Sequence, residues 1–238
     1  MSNFVELWTY LSATPLFGLT ATVLAYVLAY ALYERLGQAP WANPVLWTVV
    51  LLVTVLSVTR TAYPVYFSGA QFIHFLLGPA VVALAWPLWE RRQLLRQHIG
   101  SLLLAALCGC AVAAGSAWGL GRALGLPAQV QLSLLPKSVT APVAMGIADQ
   151  IGGIAALAAI AAVLTGIIGA ISGKYWFDAL RIRPFAVRGF ALGTASHGIG
   201  AARAMQVHPD AGALAGLALA LQAVLASLFL PLAIRFFS

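Results

Sequence analysis

The charged residues of this chain gather in short clusters, and between them run long stretches with no charge at all. Leu7–Tyr33, Leu36–Thr59, Thr61–Trp89, Gln97–Gly121, Gln150–Gly173, Gly189–Ala202 and Ala211–Ile234 contain no Asp, Glu, Lys or Arg. Most reach the roughly 20 residues a helix needs to cross the hydrocarbon of a bilayer. Hydrophobic residues make up 62% of the chain and charged residues 8%, whereas soluble domains carry roughly a quarter charged. One core could not bury that much apolar surface, so lipid must solvate much of it. The pattern predicts an all-α integral membrane protein. It reads as a single polytopic domain over 1–238, with about seven or eight transmembrane segments and no room for a soluble domain.

The formal net charge of +7 reads as topology, not as a nucleic-acid footprint, because the basic residues lie between apolar runs as the positive-inside rule requires. Before Arg35 there is no basic residue, and Glu6 is acidic. A positive n-region is therefore missing, and the first helix is expected to stay in the structure. Cys108 and Cys110 point to different sides of a helix and cannot easily close a disulfide. They read as small residues at a helix interface, and no metal site is expected.

The first helix is predicted over about Pro15–Tyr33 and the second from the Pro40–Pro44 turn to about Thr59. Arg60–Gly69 reads as irregular, with Tyr63, Tyr66 and Phe67 at headgroup level. A third segment, Ala70–Trp89, is interrupted at Gly78-Pro79 and Pro87, and Glu90–Arg96 reads as a cytoplasmic loop. Then follow His98–Leu120, where Gly115 and Gly119 invite a close helix neighbour, the unusual stretch Leu132–Met145, and Ile151–Gly173. A second basic loop carries Lys174, Arg181, Arg183 and Arg188. Gly189–Met205 and Ala211–Phe229 complete the set, the last ending at Pro231. If both basic loops are cytoplasmic, an even number of spans separates them. Leu132–Met145 then enters and leaves on one side. The other topology, with a full span there and Lys174–Arg188 outside, stays open.

Two stretches are built unlike packing helices. In Leu134–Pro142, Pro136 and Pro142 each remove a backbone donor. Lys137 places a cation in an apolar segment at a cost of roughly 2.5–3.5 kcal/mol or more, with Ser138 and Thr140 beside it. Backbone broken at membrane depth is tolerated only when buried in protein or lining a wet cavity. The bland alternative is a snorkelling lysine with prolines as kinks. In Leu192–Arg203, Gly193, Gly198 and Gly200 would let a ligand or helix reach the backbone. On a continuous helix Ser196, Gly200 and Arg203 share a face. Arg203 could hold a carboxylate with two parallel hydrogen bonds, and His197 changes charge near neutral pH. For these two the bland readings are an interfacial anchor and a core histidine. Paired interrupted segments point to a transporter site, because half-helix N-termini face an anionic substrate there.

An enzyme is not expected. Ser196 and His197 diverge by about 100° on a helix and cannot pair as nucleophile and base. Thr194 stands where G-x-S-x-G needs its first glycine, and the six acidic residues leave little for a carboxylate pair. Asp149 either pairs with Lys137 or sits in a loop.

Leu134-Leu-Pro-Lys-Ser-Val-Thr-Ala-Pro-Val-Ala, Gln150-Ile-Gly-Gly and Arg188-Gly-Phe-Ala-Leu-Gly-Thr-Ala-Ser-His-Gly-Ile-Gly-Ala-Ala-Arg-Ala resemble the LrgB/CidB family, and Phe75–Leu88 looks like its third signature. The likeness covers about residues 14–235. Two departures are mild: Ala80-Val81 stands where the family usually has Ala-Thr, and Gln206-Val-His-Pro-Asp210 replaces a run of glutamates. The resemblance implies two functional traditions. Bacterial members are described as antiholin- or holin-like modulators of murein hydrolase activity and autolysis, acting with a small LrgA/CidA-type membrane partner. A plant chloroplast homologue is a glycolate/glycerate translocator, and some bacterial members are linked to pyruvate uptake.

The residues favour the second tradition, since a mere leak needs no buried basic groups on broken helices. The expectation is an alternating-access carrier for small monocarboxylates such as glycolate, glycerate or pyruvate, in the bacterial inner membrane and as a homo-oligomer. Lys137 and Arg203 would offset substrate charge, while Ser138, Thr140, Thr194 and Ser196 would supply hydrogen bonds. His197 would carry a coupled proton. Pro136, Pro142, Gly193, Gly198, Gly200, Gly78 and Pro79 would keep helices broken. No cofactor is expected beyond coupling to H+ or Na+. The alternative is an antiholin-like regulator acting with an LrgA/CidA-type partner.

Overall fold

The computed structural model describes residues 15–76, the isolated positions 79, 82, 86 and 89, and residues 92–237. The described residues are helical, without strands. The helices are α1 (Pro15–Arg35), α2 (Pro44–Val58), α3 (Tyr63–Phe75), α4 (Arg92–Ala123), α5 (Ala128–Leu134), α6 (Ala141–Ile151), α7 (Ala155–Ala179), α8 (Phe185–Val207) and α9 (Pro209–Phe237). Four stretches are long and apolar enough to cross a membrane: Leu16–Arg35, Ile99–Ala123, Ala155–Ala179 and Pro209–Phe236. The chain forms two compact units, Met1–Ala80 and Val81–Ser238. The break expected at Gly78 lies outside the described residues, as do Pro87, Glu90 and Arg91; Pro79 is helical. Arg92–Arg96, expected in a loop, forms the first turns of α4.

In the first unit, α1 packs on α2 and α3. Gly18 is where α1 meets α3: a Cβ there would overlap the Tyr66 carbonyl. Thr22 Oγ1, which donates to the Gly18 carbonyl, lies 2.8 Å from the Tyr66 hydroxyl. The expectation of an irregular Arg60–Gly69 is therefore wrong from Tyr63 on. Pro64 sits in the first turn of α3, where a missing N–H and a fixed φ favour a helix start, and Gly69 is a packing contact of α1. Asn43 caps α2, its Oδ1 accepting from Val45 N and Leu46 N at 2.9 and 3.3 Å. Asn43→Ala is expected to lower stability by about 1 kcal/mol, read as a small drop in the detergent melting temperature.

The second unit is organised by two reversals of the chain. After α5 the backbone turns through Leu135–Thr140 and comes back along α6. Ser133 Oγ on α5 accepts from Ile154 N, just before α7, at 2.7 Å. The second reversal lies inside α8. A straight helix of its 23 residues would separate its ends by roughly 34 Å, yet the rings of Phe185 and His208 stack at 4.4 Å. The break is at Ser196 (φ −125°, ψ 16°) and His197 (φ 41°, ψ −135°), so α8 is a hairpin with arms 185–195 and 198–207. Ser196, Gly200 and Arg203 consequently do not share a continuous helical face. Gly200 instead lies across the hairpin from the Leu192 carbonyl.

Both arms of α8 rest on α9 through Leu192, Ala201, Ala204, Ala211, Ala215 and Leu219. The first arm runs so close to α9 that a Cβ on Gly189 or Gly193 would overlap the carbonyls of Ala211 or Ala215. Pro231, expected to end the last helix, lies inside α9. Leu230 beside it is buried against Val139, Ala144 and Ile147, and this packing outweighs the one backbone bond a proline removes. The expected close neighbour of Gly115 and Gly119 is not found among the described residues: a Cβ on either would touch nothing within 4 Å.

Candidate functional site

The two hairpins point at each other. The returning arm of the α5–α6 hairpin, α6, ends at Ile151 and the chain runs from there directly into the start of α7 at Ala155. The base of α8 adjoins the end of α7 through the Arg188–Asp178 ion pair at 2.6 Å. Their bases thus sit at opposite ends of one 25-residue helix, and their tips meet between: a Cβ on Gly198 would lie 4.0 Å from Thr140 Cγ2.

At the first tip, Pro136, Ser138 and Val139 are buried. Lys137 Nζ donates to the Ala113 carbonyl of α4 at 2.8 Å, so it does not pair with Asp149, which is exposed. Two further N–H donors of its ammonium remain. Thr140 is the N-cap residue of α6 but its side chain caps nothing, and its buried hydroxyl has no hydrogen-bond partner among the described residues. Pro142 does not break a helix here. It occupies the first turn of α6, the position a proline fits.

At the second tip, His197 holds a left-handed φ of 41°, uncommon for a residue with a Cβ. Tertiary contacts hold it there. Its Nε2 donates to the Ala162 carbonyl at 2.8 Å, and its ring lies against Gly166 while Ser196 fits against Gly169. Ser196 and His197 are therefore packed into α7. Gly193 and Gly200 are close-packing positions within the two arms and not breaks.

Beside the tips lies a cavity of about 860 Å³. Lys137, Ser138 and Thr194 line it, together with α4 from Ser101 to Ala113 and the first arm of α8 from Ala186 to Ala195. Thr194 is 7% exposed, and its hydroxyl has no partner among the described residues. Among the described residues the lining contains no acidic one. Both α6 and the second arm of α8 begin at the junction, so their positive dipole ends converge on it. Of the seven expected binding residues, Lys137, Ser138 and Thr194 line the cavity and Thr140 sits at the tip contact. Ser196 and His197 turn into α7, and Arg203, on the returning arm, is not part of the lining.

Two polar residues escaped the sequence reading. Thr165 of α7 lines the cavity. Gln222 of α9 is 1% exposed; its amide donates to the Cys110 sulfur, and its Oε1 has no partner among the described residues. Each lies mid-helix in a long apolar run, which was the available signal, since a polar group at membrane depth is rarely idle. An orphaned buried carbonyl costs about 1–3 kcal/mol. Gln222→Met is expected to raise the melting temperature in detergent, and a fall would mean that Oε1 is engaged. Among the described residues no group of three His, Cys, Asp or Glu could hold a metal ion.

The chain is 37% identical to the Bacillus subtilis protein YxaC over 91% of its length and 94% of that protein's. It is 30% identical to YwbG of the same organism over 92% and 97%. It is 28% identical to the holin-like protein CidB of Staphylococcus aureus over 90% and 95%. No solved structure matches. Residues 22–236 match the LrgB-like family, and the chain belongs to that family.

Proposed function

We propose that the chain carries small monocarboxylates across the bacterial inner membrane by alternating access. One observation carries this reading: Lys137 and the unpartnered Thr194 hydroxyl lie together on a cavity where two opposed hairpins meet. A carboxylate there would accept from the ammonium, from Ser138 and Thr194, and from N–H groups opening α6. On this reading α4, α7 and α9 span the bilayer while α5–α6 and α8 are re-entrant. Arg92 and Arg96, with Lys174 near the end of α7, Arg181 and Arg183 in the loop after it and Arg188 at the start of α8, then share one side, as the positive-inside rule asks of a cytoplasmic face. The cavity, running from Ser101 and Ala186 inward, opens toward that side. Coupling to H+ or Na+ would drive accumulation.

A second reading has its own support. The Staphylococcus aureus relatives are holin-like proteins, which favours a holin- or antiholin-like regulator over a carrier; on this reading the chain would act with a small LrgA/CidA-type membrane partner. The two readings separate in proteoliposomes holding the purified chain. Saturable uptake of labelled glycolate, glycerate, lactate or pyruvate supports the carrier. Leakage of a fluorescent dye without saturable uptake, or no flux until the partner is added, supports the holin-like role and sinks the carrier.

A further inference from the structure

The polar and apolar parts of the cavity are segregated, and the cavity is long. Its lining follows α4 over the 12 residue steps from Ser101 to Ala113, roughly 18 Å at about 1.5 Å per residue. Lys137, Ser138, Thr165 and Thr194 contribute the polar groups of its inner part. Between them and Ser101 the walls are Leu102, Ala105, Phe190, Ala191 and Leu214, whose side chains carry no donor or acceptor. Its volume of about 860 Å³ lies toward the upper end of the roughly 300–1,000 Å³ of ligand pockets. A three-carbon acid held at Lys137 would leave most of it unfilled. Hydroxyls carried farther along an acid, beyond Ser138, Thr165 and Thr194, would face hydrocarbon with nothing to bond, which is unfavourable.

We infer that the cavity takes monocarboxylates with an apolar tail, the carboxylate at Lys137 and Thr194 and the tail along Ala105 and Phe190, and that it binds them more tightly as the tail lengthens. This rests on the carrier reading for its site and extends it to the substrate class. Each methylene moved from water to the wall is worth about a fourfold gain in affinity. Chain length therefore ranks ligands steeply, and polyhydroxylated acids rank last.

The test uses the full chain in proteoliposomes. Labelled pyruvate is the reporter, and 2-oxobutyrate, 2-oxopentanoate, 2-oxohexanoate and glycerate compete. The half-inhibitory concentration is expected to fall about fourfold per methylene, with glycerate the weakest competitor. Ala105→Phe, which fills the wall, is expected to flatten the series so that the two longest acids compete no better than 2-oxobutyrate; Phe190→Leu weakens the gradient without emptying the site. The same ranking is read independently as ligand-induced thermal stabilisation of the purified protein in detergent. A flat series, glycerate competing as well as 2-oxohexanoate, or a gradient untouched by Ala105→Phe overturns the inference and leaves the carrier standing. Absence of saturable uptake overturns the carrier, and the detergent series then still decides what the cavity binds.

Discussion

Lys137→Ala is expected to reduce carboxylate uptake at least about a hundredfold while leaving the protein folded. Nζ spends one N–H on the Ala113 carbonyl and keeps two for a ligand. A carboxylate deprived of its counter-charge in a desolvated site loses a charge-assisted bond and the offset of its own burial cost, together about 3 kcal/mol. Folding should not suffer, because a cation at membrane depth is itself unfavourable. The melting temperature is expected to hold or rise as transport collapses. Lys137→Arg keeps the charge and is expected to recover part of the uptake, the bulkier guanidinium fitting less well beside Ala113. Uptake unchanged by Lys137→Ala would remove the central support of the carrier.

Gly193→Val should do the reverse and destroy the fold. The added carbons would run into the Ala215 carbonyl of α9, a backbone atom that cannot rotate away. The first arm of α8 must then leave α9, at about 3 kcal/mol or more. Size-exclusion chromatography and a thermal melt would show aggregation or a large drop. Gly119→Ala is the control: a Cβ there touches nothing within 4 Å, and alanine favours a helix by about 1 kcal/mol over glycine. Equal tolerance of the two changes would mean that the hairpin does not rest on α9.

What could be read without coordinates followed from local physics. Uncharged runs located α1, α2, α4, α7 and α9, because solvation by lipid depends on composition alone. Pro136 and Lys137 marked the first tip, because a proline and a cation in one apolar segment conflict with a plain span. The second tip was found only as a neighbourhood. Gly193, Gly198 and Gly200 were expected to break that stretch, yet the break falls at Ser196 and His197, and nothing in those two residue types announces the left-handed φ of His197. The Ala162 carbonyl on another helix fixes it. Treating that stretch as one helix put Arg203 beside Ser196, and the reversal separates their roles. Pro64 and Gly69 were misread for the opposite reason: both are breakers mid-helix, yet one opens α3 and the other meets α1.

The dependence of α8 on α9 also sets an order of assembly. Residues 185–207 leave the ribosome before Pro209–Phe237, so the hairpin emerges without the helix on which both its arms lie. Its tip and returning arm carry His197, Arg203 and two glycines and make a poor membrane segment alone. It has to wait, loosely inserted or at the surface, until α9 arrives and closes over Leu192 and Ala201. The broken segment would thus be the last part of this unit to settle, and the one most exposed to quality-control proteases while it waits.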